Sequence, residues 1–164
     1  MKRTLFVCLL VFLCLLPLSC TAGKPEDPFS FREENYSCRF TLNAGDGFLS
    51  DGALSVENGI ARIVLNGDVY ETDGETVTML LPENERVPIP QEPGGGILLP
   101  LYACFFPDPS RVTGAGSEGI TVLTAYGELT AAFGENGDPC RFSLSGGKNE
   151  LKIGITGFIK QKRT

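Results

Sequence analysis

Tyr36-Ser37-Cys38-Arg39-Phe40-Thr41-Leu42-Asn43 decides the class of fold. Tyr36, Cys38, Phe40 and Leu42 recur at every second position with polar residues between them, and only an extended strand with one dry and one wet face sorts them this way. The same cadence continues on the C-terminal side. Phe48 to Val56, Ile60 to Leu65, Val69 to Thr72 and Thr76 to Leu81 are short apolar-rich runs separated by Glu57-Asn58-Gly59, Asn66-Gly67-Asp68 and Asp73-Gly74. Asn-Gly and Asp-Gly favour the positive backbone angles of tight hairpins, so this half reads as an antiparallel meander.

Pro82 to Gly96 breaks the pattern with four prolines and three consecutive glycines, and reads as a long connection. Ile97 to Phe106 (ILLPLYACFF) follows, apolar without alternation. A buried helix of two to three turns is the preferred reading, because Pro100 near a helix start loses no hydrogen bond; a fully buried strand is the competing one, and periodicity does not separate them. Beyond Pro107-Asp108-Pro109 the β cadence returns in Gly119 to Tyr126, Glu128 to Phe133, Cys140 to Leu144 and Leu151 to Ile159. The expected fold is mainly β, an antiparallel meander or open half-barrel of about eight or nine short strands with one short apolar helix.

Cys38-Arg39-Phe40-Thr41-Leu42 is echoed by Cys140-Arg141-Phe142-Ser143-Leu144. Two strands with one in/out pattern converge easily, so the echo is no duplication, but it places both thiols inward beside Phe40 and Phe142. A Cys38 to Cys140 bridge and buried free thiols are both compatible with it. Cys8, Cys14 and Cys20 belong to the N-terminal segment, which leaves Cys38, Cys104 and Cys140, an odd set that allows one bridge at most.

Charge and residue choice exclude several chemistries. The chain has 14 Lys and Arg against 20 Asp and Glu, and it contains no His and no Trp. An acidic chain is a poor partner for phosphate backbones, so no nucleic acid is expected. Without His there is neither a Ser-His-Asp set nor a Cys-His pair, and a zinc site would have only thiols and carboxylates to draw on. Asp68, Glu71, Asp73 and Glu75 lack EF-hand spacing and read as turn carboxylates. Gly94-Gly95-Gly96 lacks the Lys-Ser/Thr of a phosphate loop. A carboxylate pair for glycoside hydrolysis would have no Trp and only 4 Tyr beside it, which leaves little for stacking a sugar. No catalytic residue, metal or cofactor is expected.

The N-terminus carries an address. Lys2 and Arg3 precede Leu5 to Leu16 (LFVCLLVFLCLL), and Pro17, Leu18, Ser19 and Cys20 end the run, in the order of an export signal. Leu16-Pro17-Leu18-Ser19-Cys20 resembles the lipobox of bacterial lipoproteins, with Ser19 as the small residue before the Cys and Leu16 one position early. The resemblance implies cleavage before Cys20, which becomes the lipidated N-terminus. Ordinary cleavage without lipid and an uncleaved anchor are the alternatives, although the apolar run is shorter than the roughly 20 residues a spanning helix wants. Residues 1–19 are then a signal, 20–30 a tether rich in Pro, Gly and charge, and 31–164 one β-rich domain. Removing the signal takes away Lys2 and Arg3 and no acid, which leaves 12 basic against 20 acidic residues and a net charge of −8.

The layout from Tyr36 to Phe158, strands, a Pro/Gly-rich connection, a short apolar helix and further strands, resembles the open β half-barrel of LolA-like lipoproteins; Phe133 to Leu144 is the nearest local likeness. In that family the sheet and its covering helix enclose an apolar cavity for acyl chains. The resemblance implies a lid-like segment at Ile97, Leu98, Leu101, Tyr102 and Phe105, and it carries over no functional motif. The expected protein is a monomeric, non-catalytic lipoprotein of the cell envelope, held on the outer face of the cytoplasmic membrane or on an outer membrane through Cys20, which binds a lipid or an envelope protein. A structural or assembly lipoprotein with a filled core is the alternative, and a hydrolase a distant third. One acyl chain, at about 0.8 kcal/mol per buried CH₂, binds reversibly, and several bind for good. Fatty-acid labelling should therefore mark the wild-type chain and fail on Cys20→Ala; equal labelling of both would remove the anchor.

Overall fold

The computed structural model describes residues 27–45, 47–90, 96–146 and 150–161. The expected signal and the lipidation position Cys20 lie outside the described residues. In chain order the elements are β1 (Asn35–Ala44), β2 (Leu49–Glu57), β3 (Ile60–Leu65), β4 (Asp68–Thr72), β5 (Val77–Leu80), β6 (Arg86–Pro88), α1 (Leu98–Phe105), β7 (Val112–Gly116), β8 (Gly119–Thr124), β9 (Gly127–Phe133), β10 (Pro139–Ser145) and β11 (Leu151–Gln161). They form one open antiparallel sheet in the order β6-β5-β4-β3-β2-β1-β11-β10-β9-β8-β7. The mainly β class and the single apolar helix are as the sequence led one to expect, and the helical reading of Ile97 to Phe106 is the correct one.

Two edge strands raise the expected number of strands. β6 contains Pro88, which an outermost strand tolerates because its missing N–H faces no partner. β7 (VTGAG) is exposed at every position, so it carries no apolar signal to read. The turn chemistry of the first half is as expected: Asn58 (φ 51°) and Asn66 (φ 54°) take positive angles in two-residue loops closed by the Glu57–Ile60 and Leu65–Asp68 pairs.

The strand order defines how the chain closes. β1 to β6 run outward to one edge, the segment with α1 returns to the other edge, and β7 to β11 run back until β11 pairs with β1 at the centre. Tyr36, Cys38, Phe40, Leu42 and Ala44 of β1 and Leu151, Ile153 and Ile155 of β11 all face the same buried side. The β1–β11 register slips between Ser37, opposite Ile159, and Arg39, opposite Thr156. Gly157 (φ 61°) absorbs the extra residue as a bulge, and Phe158 thereby turns inward to stack on Tyr36 at 5.0 Å between ring centroids.

A second slip, between Pro139 and Arg141 where β10 meets β9, corrects the inward placement of Cys140. Cys140 is exposed and Cys38 buried, and both are free thiols, as is buried Cys104. β11 lies between the strands that carry Cys38 and Cys140, a separation of roughly 10 Å, beyond the reach of a disulfide. The five-residue echo misled because a bulge shifts one strand's phase and leaves its sequence unmarked.

The packed domain also starts earlier than position 31. Phe29 N–H donates to Asp27 Oδ1 at 2.9 Å, and a 3-10 helix, Ser30–Glu33, follows. Phe29 and Phe31 are 0% and 1% exposed, and Phe29 meets Phe133 edge-on at 5.6 Å. Phe29→Ala should therefore cost about 3–5 kcal/mol of stability, as a core truncation does; a change below about 0.5 kcal/mol in denaturant titration, typical of an exposed tether residue, would return Phe29 to the tether.

Candidate functional site

The inner face of the sheet and the helix laid on it form the candidate site. Leu98, Leu101 and Phe105 recur at the spacing of one helical face and are buried, with Cys104 beside them. Of the five residues expected to line a lid, these three sit in the core, whereas Ile97 and Tyr102 are half-buried at its margin. Phe105 fills the centre between Phe142 (5.2 Å, edge-on) and Phe40 (6.0 Å). Tyr102 stacks on Phe106 at 4.3 Å and lies on the turn at Gly74.

The helix is local in origin only in part. Ile97 supplies no side-chain cap, and Pro100 sits in the first turn where no N–H is needed. Apolar burial holds it in place. Among the described residues its polar ties to the sheet and its turns are two long contacts of 3.5 Å, from Tyr36 Oη to the Phe105 carbonyl and from Tyr102 Oη to the Gly59 carbonyl. The segment after it is fixed more firmly: Arg32 Nη1 donates to the Pro107 carbonyl at 2.8 Å, and Asp108 accepts from the Ser110 N–H at 2.9 Å and hydroxyl at 2.7 Å. Those bonds hold the Asp108 carboxyl below the usual carboxylate range.

Titratable groups facing this interior are kept neutral. Burial pushes the Cys38 thiol up to about 12 and raises Cys104 and the Tyr36 hydroxyl well above their ordinary values. Tyr102 is raised as well, by burial first and then by the Asp73 carboxylate. Protonated thiols are poor nucleophiles and poor metal ligands. The acidic turn residues serve locally: Glu71 pairs with Arg86 at 2.8 Å, and Asp73 accepts from the N–H groups of Glu75 and Thr76 at 2.9 and 2.8 Å, which lowers its own pKa. Among the described residues no three His, Cys, Asp or Glu side chains gather as a metal site would require.

Chemically, the inner face offers apolar surface and aromatic edges, and at present α1 occupies it. Three contributors were missed at the sequence level. Phe29 and Phe31 lie in a stretch dominated by Pro and charge, and Phe158 is out of phase with Leu151, Ile153 and Ile155. The only signal for Phe158 is the isolated glycine before it, which within a strand pattern marks a bulge.

No family model matches this sequence, and no curated protein does either. Among solved structures, an uncharacterized conserved protein from Thermus thermophilus aligns over 84% of this chain and 86% of its own with a TM-score of 0.46 and 12% identity. A LolA superfamily protein from Nitrosomonas europaea aligns over 84% of this chain and 91% of its own with a TM-score of 0.45 and 7% identity.

The thiols test the geometry directly. In mass-resolved alkylation of the folded protein at pH 8.5, Cys140 should react fully while Cys38 and Cys104 stay unmodified until denaturant is added. Reaction of Cys104 at the rate of Cys140 would mean that α1 does not rest on the sheet.

Proposed function

We propose that this chain is a non-catalytic, lipid-anchored module of the cell envelope that takes up a long acyl chain on the inner face of its sheet, with α1 as the displaceable occupant. The observation that carries the reading is the way α1 is held: it lies on an apolar face through side-chain packing and two hydrogen bonds of 3.5 Å, so an apolar chain can replace it without orphaning strong polar groups. Magnitudes favour a long chain. Lifting Leu98, Leu101 and Phe105 off the sheet costs about 1.5–3 kcal/mol each, and an acyl chain regains about 0.8 kcal/mol per CH₂, so roughly six to eleven methylenes are needed to balance it. A short-chain acid falls well below that.

The anchor complements this use. From Cys20 to the first described residue, Asp27, the chain reaches at most about 25 Å, which keeps the sheet close to the membrane surface. In this reading the domain acts as a monomer, with a membrane lipid as its partner, on the outer face of the cytoplasmic membrane or on an outer membrane.

The second reading, a structural or assembly lipoprotein with a filled core, is favoured by the completeness of the packing: Leu101, Cys104 and Phe105 are all 0% exposed. One experiment separates the two. The chain has no Trp, so Tyr102→Trp installs a single reporter on α1. Saturable binding of palmitate with a red shift of the Trp emission, and no response to hexanoate, is the outcome expected for acyl uptake. No shift and no binding of a fluorescent fatty acid would leave the filled core.

A further inference from the structure

We propose that the opposite, outer face of the sheet carries a second binding site, for a small organic anion that joins a phosphate or carboxylate head to a short apolar stem. A cavity of about 280 Å³ opens there over β1, β2, β3 and the end of β11. That is close to the lower bound of small-molecule sites, enough for a headgroup and a few carbons.

Strand register builds it. Ser37, Ser55 and Arg62 lie side by side across β1, β2 and β3, and Arg39, Ala53 and Val64 form the adjacent row. The two arginines therefore stand at diagonal corners, two strands and one row apart, with two hydroxyls and an apolar strip between them. Two strand spacings are about 10 Å, a span that two guanidinium groups on three-methylene stems can close over one anion. Ala53 and Val64 are half-buried and Ile159 is 60% exposed, so an apolar stem has surface to cover. The bulge shapes the remaining wall: Gly157, at φ 61°, puts no side chain where the next outward residue of β11 would otherwise stand.

Electrostatics point the same way. The chain has more acids than bases, yet no carboxylate lines this cavity. Arg39 and Arg62 make no hydrogen bond or ion pair among the described residues. Glu71 is the cross-strand neighbour of Arg62, and Arg86 already holds it at 2.8 Å. Two uncommitted guanidinium groups flanking an apolar floor match an oxyanion with a hydrocarbon attached, since a planar fork binds phosphate or carboxylate through paired hydrogen bonds.

The head could come from a soluble phosphate ester or from a phospholipid, and three probes distinguish them: inorganic phosphate, butyl phosphate and dihexanoyl phosphatidylglycerol, each titrated into the full chain in neutral detergent and read at the side-chain Nε–H resonances of Arg39 and Arg62. Saturable shifts are expected with butyl phosphate, with the short-chain lipid, or with both, and more weakly with inorganic phosphate. The stronger of the two organic probes identifies the source. Arg39→Ala and Arg62→Ala, both at exposed positions, should each weaken binding about tenfold, read at the remaining arginine, without lowering thermal stability. The site is overturned if none of the probes saturates, if both variants bind as the wild type does, or if inorganic phosphate binds as tightly as butyl phosphate.

Discussion

The pairing of β1 with β11 is the constraint on which everything else rests. These strands come from opposite ends of the domain and lie at the middle of the sheet, so each half-meander has its inner edge covered by the other. The longest apolar stripe of each half then faces one shared interior. The bulge at Gly157 is part of the same pairing: it turns Phe158 onto Tyr36 and Phe31, and in doing so links the 3-10 helix at Ser30–Glu33 to the core. Arg32 in that helix ties down the Pro107 carbonyl behind α1. The residues ahead of β1, the central strands and the covering helix thus form one connected packing unit.

The inner face is where stability and the proposed binding role would compete. Phe40, Phe105 and Phe142 form the aromatic centre, and their burial supplies much of the driving force for folding. The same apolarity suits a hydrocarbon ligand, and burial keeps the thiols and the Tyr36 hydroxyl around it neutral. Because α1 contributes side chains and almost no strong hydrogen bonds, its place is defined by shape and solvent exclusion. The outer face follows different rules, with rows of serine, arginine and small apolar residues set by register alone.

Legibility of the fold tracked burial. Tyr36 to Leu42 announced β1 because every second residue is fully inside, and the Asn-Gly pairs announced their hairpins because few other residues accept those angles. β6 and β7 were silent because edge strands have little to bury and tolerate Pro and Gly. Leu98, Leu101 and Phe105 were found from their apolar run, yet only the structure shows that they sit in the core and that Ile97 and Tyr102 sit at its margin. Cys140 looked like Cys38 until a bulge changed its phase, and Phe29 was hidden by prolines and charges that describe its neighbours. Arg39 and Arg62 could not be paired from sequence, since their proximity depends on β1, β2 and β3 lying in one register.

Having its first and last strands as the central pair also makes this fold depend on contacts between distant parts of the chain. Contacts between β1 and β11 close nearly the whole domain into a loop, and such non-local pairing makes folding slow compared with a helical bundle of equal size. Until β11 arrives, the β1 to β6 meander presents a ten-residue strand edge and half of an aromatic core to solvent. With this topology that edge is covered only once β11 pairs along it.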